Sequence, residues 1–263
     1  MKNSIKILSA LFLIGAVSLS SCKKDPDEEP TPTPTPAATT GSLALHFENM
    51  VGDSALVFNT QSYVTANSDS FTVSTFKYYI SNIVLTKSGG GTYTESESYH
   101  LIDASDLATG EITLTNVPLG DYTGISFMIG VDSLRNVSGA QTGALDPANG
   151  MFWSWSSGYI MMKFEGNSPQ STAAANALLF HVGGFSGANN TLKTVSPSFG
   201  VDVASVTTSV TPEIHLKTDI LELFTTPTNV DFSTLNTIHM PGANAKTIAD
   251  NYADMFTVEH IHN

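Results

Sequence analysis

Seven histidines are the residues of this chain whose type and spacing best suit metal chemistry. His260 and His262 form a His-x-His pair, and a β-strand would place both imidazoles on one side of a sheet. Neutral imidazole binds zinc, copper and nickel, so the pair predicts a transition-metal site. Such a pair near the end of a sequence is also typical of a mobile tail, and the spacing leaves both interpretations open.

Three further histidines lie in predicted strands. His46 faces away from the apolar side of "SLALHFE", and His181 in "LLFHVGG" lies beside a glycine pair that would let a ligand or another backbone segment approach. His215 shares its strand face with Glu213 and Lys217, which favours a solvated surface. A single buried histidine is more often a core residue with its hydrogen bonds satisfied than a ligand. Each of these histidines therefore keeps a purely structural alternative.

The two tryptophans, Trp153 and Trp155, are one residue apart in "GMFWSWSSGYIMMKF", among three methionines. On an extended strand they would share a face. They fit two core residues of a sheet, and they also fit an exposed aromatic platform that binds a glycan or a protein without any metal. The methionines could supply soft thioether ligands, although filling the core is their usual role.

Motifs of enzymatic catalysis are missing from the sequence. It has no Gly-x-Ser-x-Gly elbow, no His-Glu-x-x-His pair and no cysteine suited to catalysis, and no carboxylate pair stands out. We therefore expect a binding protein and not an enzyme. The formal net charge of −13 also excludes nucleic acid as a natural partner.

The elements that must position these residues are mostly strands. Alternating or β-branched runs separated by Gly, Ser, Asn and Thr predict an all-β fold, an antiparallel β-sandwich. One or two short helices are expected near the C-terminus, over residues 244–256 and 218–224. The predicted strands are "SLALHFE", "FTVSTFKYYISNIVLTK", "EITLTNVP", "GDYTGISFMIGVD", "GYIMMKFEG", "ALLFHVGG" and "SVTPEIHLKTD".

The N-terminal sequence predicts export and lipidation. Residues 1–21 have the charged start and short apolar run of a signal peptide, and "LSSC" resembles a lipobox ending at Cys22. Residues 22–41 form an acidic, Thr-Pro linker, and 42–263 are the folded domain. We expect a cell-envelope protein that is lipid-anchored to the outer membrane, at either the periplasmic face or the cell surface.

Four stretches, taken in order, carry a family resemblance: "FKYYISNIVL", "GVDS", "GALDPANGMFWSWSSGYIMMKFEG" and "FHVGG". Together they resemble the MbnP-like family of periplasmic proteins first linked to methanobactin copper operons. The resemblance covers nearly the whole domain, and it includes the C-terminal "NYADMFTVEHIH". Many family members carry four cysteines, and this domain has none.

The resemblance implies copper binding, as Cu⁺ or Cu²⁺. It also implies a partner, a dihaem cytochrome related to MauG and cytochrome c peroxidase, which oxidises a tryptophan to kynurenine. That tryptophan corresponds to Trp153 or Trp155, and the best-matching companion ligands are His46 and His181. Indole N–H only donates, whereas kynurenine offers an amine and a ketone, so oxidation would create a ligand.

Overall fold

The computed structural model describes residues 38–139, 141–154 and 158–263. Cys22, Trp155 and the predicted signal peptide lie outside these residues. The described chain from Ala38 onwards is one folded unit. Its strands and α-helices are β1 (Thr40–Val51), β2 (Ser54–Ala55), β3 (Tyr63–Val64), β4 (Ser70–Lys87), β5 (Thr92–Thr94), β6 (Tyr99–Asp103), β7 (Glu111–Pro118), β8 (Gly120–Ile129), α1 (Ser133–Asn136), β9 (Phe152–Trp153), β10 (Gly158–Asn167), β11 (Ala177–Gly183), β12 (Lys193–Val195), β13 (Ala204–Val206), β14 (Glu213–Asp219), β15 (Thr237–Ile238), α2 (Ala243–Tyr252) and β16 (Phe256–His262).

The first sheet has five strands in the order β16, β14, β1 and β2, with β7 also paired with β1. Leu43, Leu45 and Phe47 of β1 are buried, and the residues between them are less so, because alternate side chains of a strand point to opposite faces. β1 pairs with β14 in parallel, although the two strands lie far apart in the sequence. The inner face of this sheet is therefore apolar, and its outer face is polar.

The second sheet is organised by β4, a strand of 18 residues. Its main order is β12, β8, β4, β10, β11 and β15, and the shorter strands β3, β5, β6, β9 and β13 pair with members of this set. Because β4 is rich in β-branched and aromatic residues, it can pair along its whole length with several partners.

The main core fills the space between the two sheets. Phe47 of the first sheet meets Phe127 of the second edge to face, with ring centroids 5.8 Å apart. The hydroxyl groups of Tyr78 and Thr218 are 3.1 Å apart and form a hydrogen bond across the same interface. Burying each large apolar side chain contributes about 1.5–3 kcal/mol, so this core is the main source of stability.

A smaller core cluster, which we call the tryptophan cluster, lies on the other face of the second sheet. Tyr78 and Ile80 of β4 face the main core, while Tyr79 between them faces the tryptophan cluster. The buried members of this cluster are Tyr79, Val131, Leu145, Met151, Trp153, Tyr159, Ile160 and Met161. The second sheet thus has an apolar layer on each side.

The expected all-β fold is confirmed, with two differences in detail. β1 with β14 and β11 with β15 are parallel pairs, so both sheets are mixed and not wholly antiparallel. The helix expected over 244–256 ends at Tyr252, because Phe256 starts the strand β16. The expected helical turn is a 3₁₀ helix, Ile220–Phe224, whose start is capped by the Asp219 side chain.

Candidate metal centre

Four histidines meet on the outer face of the first sheet. His46 of β1 is paired in register with His215 of β14, and His215 is paired with His260 of β16. The three residues therefore form a row across three adjacent strands, and His262 lies two positions beyond His260. We call these four residues the histidine cluster.

A β-bulge in β16 brings its two histidines to this face. His215 pairs with His260 and Leu216 with Val258, so Glu259 is an extra residue. Val258 and Ile261 both pack against the main core although they are three residues apart. Without the bulge, His260 would share the inward face of Val258, because side chains on a regular strand alternate. The extra residue thus turns both imidazoles outward.

The imidazole rings of the cluster are in mutual contact. The rings of His215 and His260 stack at a centroid distance of 4.3 Å and an interplanar angle of 16°. His46 lies 4.9 Å from His215 on the other side. The ring of His262 is edge-on to both His215 (5.1 Å) and His260 (4.7 Å). Such spacing lets neighbouring ring nitrogens bind one ion after small side-chain rotations.

His215 has a buried ring nitrogen that lacks a protein partner. Its Nε2 makes no hydrogen bond with the described residues, and the nearest carboxylate oxygen, Oε2 of Glu213, is 3.6 Å away. That distance is too long for a hydrogen bond. Buried polar atoms almost always have a partner, and an unpaired one costs about 1–3 kcal/mol. A metal ion bound at Nε2 would remove this cost.

Carboxylates surround the cluster. Glu111 contacts Nδ1 of His46, and Oε1 of Glu48 lies 3.4 Å from its Nε2. Glu213 and Glu259 lie on the strands that carry the other histidines. Carboxylates next to metal-binding histidines orient the rings and attract cations, so the surroundings suit a positively charged ligand.

His181 lies elsewhere, on β11 of the second sheet, and the described residues include no metal-binding group that contains it. Its Nε2 is 2.7 Å from Oε1 of Glu165, and the Thr75 hydroxyl donates to Oε2 of Glu165. Burial lowers the pKa of His181, and the Glu165 hydrogen bond opposes this. His100, on the same sheet, is likewise paired with a carboxylate, that of Glu95, at 2.9 Å. Both histidines have a structural partner.

Trp153 is buried in the tryptophan cluster and is only 7% exposed. A side chain this buried cannot serve as an exposed platform for a glycan. Both sheets and the main core lie between Trp153 and the histidine cluster, since each occupies the face of its sheet opposite that core. Met151, Met161 and Met162 are fully buried too, so they fill the cores.

The sequence did not reveal which histidines meet. It placed His46 and His215 on outward strand faces and His260 beside His262, and all of these positions agree with the structure. The parallel pairing of β1 with β14 carries no local signal, so His215 alone looked like part of a solvated face.

Among the described residues the longest helix has ten residues, too few to cross a bilayer.

Comparisons with known proteins agree with this fold and place the chain in a family. The MbnP family model matches residues 40–241. The solved structure of MbnP from Methylosinus trichosporium has a similar fold, with a TM-score of 0.54 and 15% sequence identity over 84% of this chain and 99% of that one. No curated protein matches the chain. The chain therefore belongs to the MbnP family, whose role is linked to copper through methanobactin operons.

Proposed function

We propose that the protein binds copper in the cell envelope through the histidine cluster, and that it acts as a carrier or store and not as an enzyme. The single observation that carries the proposal is the buried, unpartnered Nε2 of His215 at the centre of four imidazoles. Imidazole binds copper, zinc and nickel, and the family link to copper selects among them.

The donor set fits copper without help from sulfur. His215, His260 and His262 bring their ligand atoms within 4.8 Å of one another. His46 and its partners Glu48 and Glu111 extend the site on the β1 side. The domain has no cysteine, and the metal-binding groups on this face consist of histidine and glutamate, so imidazole and carboxylate are the donors that the site offers.

Copper ligation at this site does not include an oxidised tryptophan. The resemblance implied a kynurenine ligand at Trp153 or Trp155. Trp153 lies on β9, on the far side of the second sheet, and Trp155 lies outside the described residues. A dihaem cytochrome that oxidises Trp153 would act at a place separate from the histidine cluster. We therefore propose that the two features of the family, copper binding and tryptophan oxidation, are spatially separate in this chain.

Mass spectrometry of the peptide from Met151 to Lys163, from protein purified from its native envelope, tests the haem-partner part of the proposal. A kynurenine mass at Trp153 or Trp155 supports it, and two intact tryptophans contradict it. A variant with Trp153→Phe and Trp155→Phe should bind copper with unchanged affinity. A large loss of affinity in that variant would place a tryptophan in the copper site after all.

We also propose that a lipid on Cys22 anchors the protein to the outer membrane. This proposal rests on the lipobox and on the Thr-Pro linker, which would hold the domain away from the outer membrane. Cys22→Ala should release the protein from the membrane fraction and remove the acyl mass from its N-terminal peptide. Unchanged membrane association would contradict the anchor.

Competition against a chromophoric copper chelator tests copper binding directly. His215→Ala should weaken copper affinity by more than about 10-fold, since loss of groups that only support metal ligands already costs 10–100-fold. His100→Ala is a matched control, because this imidazole has its own carboxylate partner on the second sheet. Equal affinities of the two variants would contradict the proposed site.

A further inference from the structure

We infer that a groove at the edge of the first sheet binds a small organic cation with an apolar body. The groove runs along β1 and has a volume of about 370 Å³. Sites for small molecules typically measure about 300–1,000 Å³, so the groove is large enough for one. Residues 46–50 of β1 form its floor, and its walls come from Ala55, Leu56, Ala104 and Leu107.

The groove opens where one edge of β1 has a gap between two partner strands. β7 pairs with β1 as far as His46, and β2 begins its pairing at Met50. No strand of the described chain pairs with residues 47–49 on this edge, since β14 occupies the other edge. Three residues of a strand span about 10 Å. The gap is therefore wide enough to admit a small molecule between β2 and the 3₁₀ turn Leu107–Gly110 that precedes β7.

One end of the groove is acidic. The Glu48 side chain is 44% exposed, with Oε1 3.4 Å from Nε2 of His46, and Glu111 contacts the other nitrogen of that ring. Lys217 is opposite Glu48 on β14, but its ammonium group is directed to two aspartates, 3.6 and 3.4 Å away. The carboxylate of Glu48 is therefore available to a cation that enters the groove, and an anion would be repelled.

The other end of the groove is apolar. Met50 is two residues beyond Glu48 on β1, so both side chains lie on the same face of the strand. Leu56 lines the groove near Met50, and Leu107 is 81% exposed at its rim. Covering such exposed apolar surface with an apolar ligand is favourable. An ammonium group at Glu48 and an apolar body against Leu56 and Leu107 would therefore match the groove in both charge and polarity.

Isothermal titration calorimetry of the metal-free protein with n-hexylammonium chloride tests the inference. n-Hexylammonium should bind saturably, and hexanoate and hexanol should bind at least about tenfold more weakly, because they lack the charged donor for Glu48. Glu48→Gln should cost a similar factor, and Leu107→Ser about fourfold for each CH₂ group that the ligand covers. Glu97→Gln and Val201→Ser are matched controls, since both side chains are exposed and neither lines the groove.

The test is independent of copper, because the protein is free of metal, so its failure leaves the proposed function standing. Absence of saturable heat, or equal affinities for n-hexylammonium, hexanoate and hexanol, overturns the inference. Unchanged affinity in both Glu48→Gln and Leu107→Ser, each verified as folded by circular dichroism, places the ligand elsewhere and overturns it too. Tighter binding of a trilysine peptide than of n-hexylammonium would assign the groove to a basic protein segment and overturn the small-molecule ligand.

Discussion

Replacing Gly183 with alanine should destabilise the fold through the tryptophan cluster while leaving copper binding unchanged. A Cβ atom at this position would lie 2.6 and 2.8 Å from two ring carbons of Trp153, and 2.8 Å from the backbone oxygen of Tyr159. Contacts this short require atoms to move. Trp153 is only 7% exposed and packs within the tryptophan cluster, so displacing its ring disturbs buried contacts.

The loss of unfolding free energy can be estimated from other proteins whose cores were overpacked by substitution. Forcing an extra methyl group into a packed core costs about 1–3 kcal/mol. For a domain of this size each kcal/mol lowers the Tm by about 2–4 °C, so a fall of about 2–12 °C is expected. The assay is thermal unfolding followed by circular dichroism, with tryptophan fluorescence to detect the displaced ring. Gly89→Ala is the control, since a Cβ there meets no atom within 4 Å.

Two results would refute the reasoning. Equal Tm values for Gly183→Ala and Gly89→Ala would mean that Trp153 does not pack as described. A folded Gly183→Ala variant that loses copper as strongly as His215→Ala would mean that the tryptophan cluster and the histidine cluster are coupled. Copper binding should otherwise stay at the wild-type level, because two sheets and the main core separate the clusters.

Three further predictions concern the site and the core. Copper at about a thousandfold excess over Kd should stabilise the fold by about 4 kcal/mol and raise the Tm by about 8–16 °C, and a melt of His215→Ala should show no such rise. Burial raises the pKa of Glu165, but its hydrogen bond with His181 and neighbouring charges outweigh this and hold the pKa below 4.5. The stabilisation by Glu165 is therefore present above pH 4.5 and lost as the pH falls through its folded pKa. Urea unfolding of wild type and Glu165→Gln should differ at pH 7 and converge in acid, and a constant difference would contradict the lowered pKa of Glu165. Phe224→Ala should cost about 3–5 kcal/mol in urea unfolding, because this ring is 1% exposed among four other phenylalanines; a cost under 1 kcal/mol would contradict that packing.

Strand alternation made the fold class and several site faces predictable. In β1 the apolar residues Leu43, Leu45 and Phe47 all point one way, so His46 had to point the other way. The same rule put His215 opposite the buried residues of β14. Such faces follow from local sequence because the period of a strand is two residues.

Pairing between distant strands was not predictable in this way. β1 and β14 are parallel neighbours although more than 160 residues separate His46 from His215 in the sequence. The bulge at Glu259 has no local signature either, and without it the His-x-His pair would face inward. The partner of His181 was not predictable either, because the Glu165 carboxylate that it contacts lies on the neighbouring strand β10.

The tryptophan pair had two interpretations from sequence, and the core explains Trp153. β9 is only two residues long, and its pairing with the start of β10 directs Trp153 against Gly183. A glycine is needed there because a larger side chain would collide with the indole. Gly183, the first glycine of the pair after His181, is therefore explained by its packing against Trp153.

The proposed copper binding would depend on the folded first sheet, because this sheet brings the four histidines together. Its ligands come from three strands whose sequences are far apart, and only His260 and His262 are neighbours in the unfolded chain. A metal that binds the native arrangement more tightly than the unfolded chain must stabilise the native state by that difference in affinity. Because β16 supplies two ligands from the edge of the sheet, bound copper also ties this edge strand to β14 and β1. With copper bound as proposed, metal loading and the docking of β16 would be coupled, and metal ligation would act like a covalent link in a domain that has no cysteine.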